Sequence, residues 1–251
     1  MAYVAQSHIG MVRAENQDSF CVWSLGNTLF AIVADGMGGH NGGRVASGMT
    51  VELIKQFVSE RYTELMSAVN IAEMLKASIY EANDKVYRRS LDERELFGMG
   101  TTATIAVLKG TELVIANVGD SRAYAIGDGI VQITKDQTLV QDLIDKGEIT
   151  PQEALVHPRK HVIMQAIGSS PEVAPEVIIQ TCGSRYILLC SDGLIQHLSD
   201  MQIADVLARS EGIDRAASCL IDMANKAGGE DNTTVVIIDT QQCGGNLGVG
   251  V

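Results

Sequence analysis

Long apolar runs are missing from this 251-residue sequence. No stretch approaches the ~18 consecutive apolar residues that a membrane-spanning helix needs. The N-terminus, MAYVAQSHIGMVRAENQD, also lacks the basic start and apolar core of a signal peptide. We therefore expect a soluble, cytoplasmic protein that does not act on a membrane.

An excess of basic residues is missing as well. The 31 Asp and Glu residues outnumber the 19 Lys and Arg residues, which leaves a formal net charge of -12. A nucleic-acid backbone repels an acidic protein at long range, as does an anionic membrane surface, so we expect neither as a partner. Divalent cations, or partners with basic segments, suit this charge better.

Cysteine is scarce and has no pairing motif. The five cysteines form no CxxC pair and no metal-finger spacing, and their odd number fits a reducing compartment. We interpret them as small buried hydrophobic residues, because free cysteine is usually buried. They are Cys21, Cys182, Cys190, Cys219 and Cys243.

Linkers and internal repeats are absent from the sequence too. The four prolines and 25 glycines form no linker-like cluster, and a hydrophobic content of 46% is enough for a full core. We therefore expect one domain over residues 1–240. The remaining segment, 241–251, contains GGNLGVGV and is expected to be a flexible tail, because it has little to pack against the core.

Segments rich in β-branched residues predict strands over 28–34, 101–108, 112–118, 122–126, 185–190 and 233–239. The segment ELVIANVGDSRAYAI predicts two antiparallel strands joined by a tight turn at Gly119 and Asp120. Because strands and helical patterns do not alternate strictly, antiparallel sheets with helices on their outer faces are favoured over a parallel sheet.

Helices are predicted where apolar residues recur at helical spacing. Near the C-terminus, Ser199 is placed to cap a helix that ends around Leu207, and a helical insertion is expected around 138–156. The apolar stripes are Val45, Met49, Leu53 and Phe57 in the first helix, Ile71, Leu75, Ile79, Ala82 and Val86 in the second, and Ile213, Ala217, Leu220, Ile221 and Ala224 in the last.

The stretch FAIVADGMGGHNGG places one aspartate and several glycines directly after an apolar strand. A dinucleotide-binding fingerprint needs glycines at its first, third and sixth positions, and neither Gly36 nor Gly38 starts that spacing. A P-loop needs Lys-Ser or Lys-Thr after its last glycine, but Arg-Val follows Gly43. Spacing therefore excludes both kinds of phosphate-binding loop.

Aspartates recur at the ends of the predicted strands. Asp35, Asp120 and Asp192 follow apolar runs, and Asp231 precedes one. A single Asp-Gly is an ordinary turn. Strand ends gather at the rims of sheets, however, so these four carboxylates can converge, and neighbouring carboxylates raise one another's pKa unless a cation lies between them. An all-oxygen site selects Mg²⁺ or Mn²⁺ over zinc.

Six motifs, in their order, resemble those of the bacterial metal-dependent Ser/Thr protein phosphatases of the PPM family, also called type 2C. They cover Met11 to about Asp239 and read VRAENQDSF, VADGMGGHNGG, GMGTTAT, VGDSRAY, LLCSDGL and GGEDNTTVV. The resemblance implies an α+β fold, a four-layer α-β-β-α sandwich of two antiparallel β-sheets flanked by helices. It also implies a flap subdomain over about 134–170, beside metal ions at one rim.

The resemblance further implies a set of metal ligands. Asp35 would bridge two Mn²⁺ or Mg²⁺ ions, and the backbone carbonyl of Gly36 would ligate one of them. Asp192 and Asp231 would complete the shell of the second ion. Asp120, together with Asp192, would hold the third ion that bacterial members often bind.

Two further residues receive roles in the implied reaction. Asp18 would hold metal-bound waters, and Arg13 would clamp the substrate phosphate, because a guanidinium can bond two oxygens at once. A metal-bridging hydroxide would attack phosphoserine or phosphothreonine directly. The implied partners are phosphorylated proteins, including a eukaryote-type Ser/Thr kinase that the enzyme would counteract, and we expect a monomer.

Some positions depart from the pattern of the family. Met37 stands where many eukaryotic members have a histidine that is proposed as the general acid, and the nearby His40 could serve as that acid or have a structural role. Gln17 precedes Asp18 where an acidic residue is common, which predicts a changed water network. In the flap, His161 could be a ligand, a substrate contact or neither.

Other chemistries and functions can be compared with the sequence. No cysteine has an arginine six residues later, and Asp35 has no second aspartate two residues on, so neither a cysteine nor an aspartate nucleophile is indicated. A catalytically silent member of the fold would bind a partner, but such proteins usually lose metal ligands. A regulatory phosphatase for one phosphoprotein, such as an anti-sigma antagonist, would keep the metal ligands.

Overall fold

Two antiparallel β-sheets form the centre of the computed structural model, which describes residues 2–38 and 41–241. The strands are β1 (Ala2–His8), β2 (Asp18–Leu25), β3 (Thr28–Met37), β4 (Gly100–Thr101), β5 (Ala103–Lys109), β6 (Glu112–Val118), β7 (Arg122–Ile126), β8 (Ile130–Gln132), β9 (Glu176–Thr181), β10 (Tyr186–Cys190) and β11 (Thr233–Asp239). One sheet has the order β1-β11-β10-β7-β8 and the other β2-β3-β5-β6-β9, with β4 paired to β3. His40 and the predicted tail beyond Gln241 lie outside the described residues.

Helices cover the outer face of each sheet. The α-helices in the described ranges are α1 (Gly42–Arg61), α2 (Ala68–Asp92), α3 (Leu139–Asp145), α4 (Pro151–Leu155), α5 (Asp192–Ile195), α6 (Asp200–Arg209) and α7 (Ile213–Lys226). Helices α1 and α2 pack on the sheet that contains β3, and α6 and α7 pack on the sheet that contains β11. The predicted four-layer sandwich is confirmed. None of these helices is long and apolar enough to span a bilayer.

Strand β3 shows how one sequence serves two layers. Its alternate residues Phe30 and Ile32 are fully buried among the side chains of α1 and α2, while Ala31 and Val33 are fully buried against the other sheet. Successive side chains of a strand point to opposite faces, so a strand covered on both sides reads as a continuous apolar run. This explains the run TLFAIVA before Asp35.

The predicted core stripes hold for α2 and α7, whose stripe residues are all buried. Ser199 caps α6 by accepting a hydrogen bond from the backbone N–H of Gln202, as predicted. On α1 the predicted stripe is only partly buried, and the buried face lies one position further on, at Ala46, Thr50, Ile54 and Val58. Small residues on that face let the helix approach the sheet closely.

The predicted hairpin at Gly119 and Asp120 is wrong. Strand β6 pairs with β5 and β9, whereas β7 pairs with β10 and β8 in the other sheet. The chain therefore crosses from one sheet to the other at this point. The crossing requires a positive φ of 102° at Gly119, where a Cβ would lie 2.6 Å from the Thr102 side chain.

The interpretation of the cysteines holds only in part. Cys190 is buried on β10, Cys21 and Cys182 are partly buried, and Cys219 is exposed on α7. Cys243 lies outside the described ranges. Cys21, Cys190 and Cys219 are free thiols.

The glycines at 36 and 43 mark a close approach between β3 and the start of α1. A Cβ on Gly36 would lie 2.1 Å from the carbonyl oxygen of Gly43, and a Cβ on Gly43 would lie 2.5 Å from Oε1 of Gln17. Strand β3 extends beyond its predicted end because Gly36 pairs with Thr101 of β4. The glycines of this loop thus permit backbone packing against the strand that carries Asp35.

Substitution of Gly43 tests this packing. We expect Gly43→Ala to lower the free energy of unfolding by about 1–3 kcal/mol, because the added methyl group overlaps fixed backbone. Gly48→Ala on the same helix is the matched control, since its Cβ would meet only Ser19 Oγ, at 3.8 Å. The control should gain up to about 1 kcal/mol from helix propensity. Urea unfolding measures both, and equal effects would contradict the packing argument.

Candidate functional site

Asp18 and Asp35 face each other on neighbouring strands. They are paired residues in the antiparallel register of β2 and β3, at the end of the sheet where β2 begins. The backbone of Asp35 is fixed by β4 and the residue after it: its N–H donates to Thr102 Oγ1 (2.9 Å), and its carbonyl accepts from Thr102 N (2.9 Å) and Thr101 Oγ1 (2.8 Å). The GTT sequence therefore positions Asp35.

The other sheet brings two of the predicted ligands to the same rim. Asp192 is the first residue of α5 and lies two residues after the end of β10, and Asp231 lies two residues before β11. The carboxyl groups of Asp35 and Asp192 lie close together, and each alters the pKa of the other. Two carboxylates can lie so close together only with a proton or a cation between them.

Asp120 reaches the site from the crossing between the sheets. Its side chain is nearly buried, at 7% exposure, and follows the positive-φ Gly119. Its charge raises the pKa of Asp35, and that of Asp192 raises the pKa of Asp120, so the three carboxyls lie within electrostatic reach. The structure thus gathers the predicted aspartates at one rim, as the sequence analysis expected.

Burial and crowding disfavour charge on these carboxyls. Burial raises the pKa of Asp18 to about 7, although hydrogen bonds from Thr234 and Ser191 lower it. Burial also raises the pKa of Asp120 to about 8, with a further contribution from Asp192. For Asp35 and Asp192, burial is again the main cause of a raised pKa, and neighbouring carboxylates add to it. A nearby cation would reverse this effect.

The residues present fit hydrated hard cations. Three buried carboxylate oxygens of the cluster lack a hydrogen-bond partner within the described residues: Oδ1 of Asp18, Oδ1 of Asp120 and Oδ1 of Asp192. In the described parts of the chain, no three His, Cys, Asp or Glu side chains form a complete metal cage. Mg²⁺ typically keeps several waters and takes only one or two carboxylates from the protein, so paired aspartates with free oxygens suit such an ion.

Arg13 lies beside the predicted ligands, on the loop between β1 and β2. Its Nη2 donates to Asp231 Oδ2 at 2.7 Å, and about half of its side chain is exposed. The guanidinium is therefore close enough to the cluster to meet an anion bound there. It also offsets the charge of Asp231.

Asn232 is a residue of the site that sequence reasoning missed. Its side-chain oxygen accepts from Gln17 N (2.8 Å), and its amide nitrogen donates to the carbonyls of Ile9 (2.8 Å) and Glu15 (3.0 Å). These bonds hold the loop that carries Arg13 against the turn that carries Asp231. The sequence feature that could have indicated its role is its position directly after Asp231 in the GGEDN motif.

Ser191 and Thr234 were missed as well. Both hydroxyls donate to Oδ2 of Asp18, at 2.8 Å and 2.6 Å respectively. The Ser191 hydroxyl also accepts from the backbone N–H of Thr234 at 2.9 Å. Together these two residues link the strand of Asp18 to the opposite sheet and fix one of its carboxylate oxygens.

The residues that depart from the family pattern lie at different distances from the cluster. Met37 ends β3, where it pairs with Gly100, and has no ionisable group that could act as an acid. His161 is exposed in the predicted flap and lies within electrostatic reach of Asp192. Nothing is described for His40.

Comparisons with known proteins match this chain over nearly its whole length. The family described as Protein phosphatase 2C matches residues 6–231. The serine/threonine phosphatase stp of Listeria monocytogenes serotype 4b is 38% identical over 235 residues, which cover 92% of each chain.

Solved structures give the same result. The crystal structure of the serine/threonine phosphatase Stp1 from Staphylococcus aureus superposes with a TM-score of 0.89 at 32% identity and covers 94% of both chains. The catalytic domain of the serine/threonine protein phosphatase PstP, solved in complex with two manganese ions, has a TM-score of 0.80 at 37% identity, covering 95% of this chain and 97% of that one.

Replacement of Asp18 by asparagine tests the crowding of charge. In EDTA we expect Asp18→Asn to unfold at higher urea concentration, with a gain on the order of 2 kcal/mol, because a buried and repelled charge is removed. Mn²⁺ at about 100 times its Kd should stabilise the parent by about 2.7 kcal/mol, and the variant by less. Exposed Asp128→Asn is the control, and a less stable Asp18→Asn in EDTA would contradict the argument.

Replacement of Asn232 tests whether its hydrogen bonds hold the loop that carries Arg13. We expect Asn232→Ala to lose about 3 kcal/mol of unfolding free energy, because each of its three hydrogen bonds contributes about 1 kcal/mol. Native-state trypsin cleavage after Arg13 should become about tenfold faster as the loop is released. Exposed Asn27→Ala is the control. Unchanged cleavage at Arg13 would show that Asn232 does not hold the loop.

Proposed function

Because this chain belongs to the protein phosphatase 2C family, we propose that it hydrolyses phosphoserine and phosphothreonine in proteins. The observation that carries the proposal is the cluster of aspartates at the rim of the two sheets, with buried carboxylate oxygens that have no protein partner. Arg13 beside the cluster supplies the cation that a phosphate dianion needs from the protein.

We propose that Asp35, with the Gly36 carbonyl, and Asp192 with Asp231 hold two divalent ions, and that Asp120 and Asp192 hold a third. Manganese is supported by the two ions in the PstP structure, and magnesium suits the same oxygen ligands. Bound cations would supply an activated water and offset the charge that develops on the phosphoryl oxygens.

The chain's own residues then have separate tasks. The hydrogen bonds of Asn232 position the loop that carries Arg13. The guanidinium of Arg13 then donates to the phosphate oxygens in place of part of its hydrogen bonding to Asp231. Asp18 has one oxygen fixed by Ser191 and Thr234, so its free Oδ1 accepts a hydrogen bond from water in the site and orients it. This fixed geometry favours in-line attack on phosphorus without a covalent intermediate.

The proposed setting is a monomer in the cytoplasm that reverses the action of a Ser/Thr kinase. The named relatives are serine/threonine phosphatases, which supports phosphorylated proteins as substrates. The acidic net charge of -12 suits substrates whose phosphorylated segments also carry basic residues.

An assay of metal-dependent hydrolysis tests this function. Purified protein with Mn²⁺ should release phosphate from a phosphothreonine peptide and from a chromogenic phosphomonoester, and EDTA should stop both reactions. Asp35→Asn should lower kcat/KM about a thousandfold, a loss of ~4 kcal/mol of transition-state stabilisation. Asp120→Asn should raise the Mn²⁺ concentration needed for half-maximal rate.

Matched controls make this result specific. Asp128→Asn removes an exposed carboxylate far from the cluster and should leave kcat/KM unchanged. A parent protein that hydrolyses neither substrate with Mn²⁺ or Mg²⁺ would overturn the proposed function and favour a silent member that only binds a partner. Full activity of Asp35→Asn would overturn the ligand assignment.

A further inference from the structure

A cavity of about 360 Å³ opens beside the aspartate cluster. Asp120 and Asp192 line one side of it, so the cavity is continuous with the proposed phosphate site. Its volume lies at the lower end of the range of about 300–1,000 Å³ that is typical of ligand sites. The cavity can therefore hold part of a substrate whose phosphate reaches the aspartates.

Three short helices supply the apolar residues of the cavity. The apolar residues are Val140 and Ile144 from α3, Pro151, Ala154 and Leu155 from α4, and Ile195 from α5. Val140 and Ile144 are one helical turn apart, so they lie on the same face of α3.

Helix α3 has an apolar face that the protein covers only in part. Thr138 caps the helix by accepting a hydrogen bond from Gln141 N, but none of its residues is fully buried. Leu155 of α4 is 72% exposed. Short helices gain most of their stability by burying an apolar face, so this face is suited to contact with a further apolar group.

The cavity is also lined by ionisable residues, namely Arg122, Asp136, Lys160, His161, His197 and Glu230. Arg122 donates to both carboxylate oxygens of Asp136, at 2.8 Å and 2.7 Å, and the pair is largely buried. This pair is neutral as a unit. The apolar contacts that the cavity offers are those of the three helices.

We propose that this cavity receives a large aliphatic or aromatic side chain next to the phosphorylated residue of the substrate. The inference rests on the proposed phosphatase function and adds a sequence preference to it. Consecutive residues of an extended peptide are about 3.3–3.6 Å apart along the chain. A phosphate bound at the aspartate cluster through divalent ions and Arg13 would thus bring a side chain one or two positions away to Val140, Ile144 and Ile195.

Phosphothreonine peptides that differ at one position test the preference. Each peptide carries leucine or alanine at one position from −2 to +2 around the phosphothreonine, and kcat/KM is measured with Mn²⁺. At one of these positions we expect leucine to give about a tenfold higher kcat/KM than alanine, because apolar contacts of this size discriminate by ~10-fold or more.

Variants of Ile144 then assign the preference to the cavity. Ile144→Ser should reduce the leucine-to-alanine ratio to below about twofold, whereas Ile144→Leu should keep it. Ile179→Ser, which replaces an isoleucine of β9 that does not line the cavity, is the control and should keep the ratio of the parent. Hydrolysis of a chromogenic phosphomonoester, which carries no neighbouring residues, should be unchanged in all three variants.

The outcomes separate the two proposals. Equal rates for all peptides, or an unchanged ratio in Ile144→Ser, would overturn the cavity assignment while leaving the phosphatase function intact. Absence of hydrolysis of every peptide and of the monoester would overturn both. A tenfold preference that is lost in Ile144→Ser and kept in Ile144→Leu and Ile179→Ser would support the inference.

Discussion

Repulsion among carboxylates at one rim of two packed sheets is the interaction on which the rest of the site depends. Asp18 and Asp35 come from one sheet, Asp192 and Asp231 come from the other, and Asp120 comes from the crossing between them. Burial, followed by the charges of neighbouring carboxylates, raises the pKa of Asp18, Asp35 and Asp120. The protein keeps them together with fixed hydrogen bonds, and Arg13 offsets the charge of one of them.

Those hydrogen bonds come from residues that carry no charge. Thr101 and Thr102 fix the backbone of Asp35, Ser191 and Thr234 fix one oxygen of Asp18, and Asn232 holds the loop of Arg13. Each bond links one sheet to another strand or to a loop. The arrangement of the charged groups is therefore a property of the packed sandwich, and a small shift between the sheets would change several distances at once.

The sequence was sufficient for the positions of the aspartates and for the class of fold. Apolar runs before Asp35, Asp120 and Asp192 predicted strand ends, and the motifs predicted the family. It was not sufficient for the pairing of β6 and β7, because sheet membership depends on partners distant in sequence such as β9 and β10. The predicted buried face of α1 was one position off, because the buried residues Ala46 and Thr50 are only weakly hydrophobic or polar. Asn232 was missed because buried polar residues look like surface residues in a sequence.

The partly covered apolar face of α3 has a consequence for the energetics of the flap. A helix of seven residues is marginal by itself, and its local opening free energy is set by the contacts around it. A peptide side chain that completes its apolar face adds contacts that exist only in the complex. The affinity for the peptide and the slowing of amide hydrogen exchange in α3 would then measure the same free energy. Substrates that cover the apolar face of α3 to different extents would therefore slow this exchange to different extents.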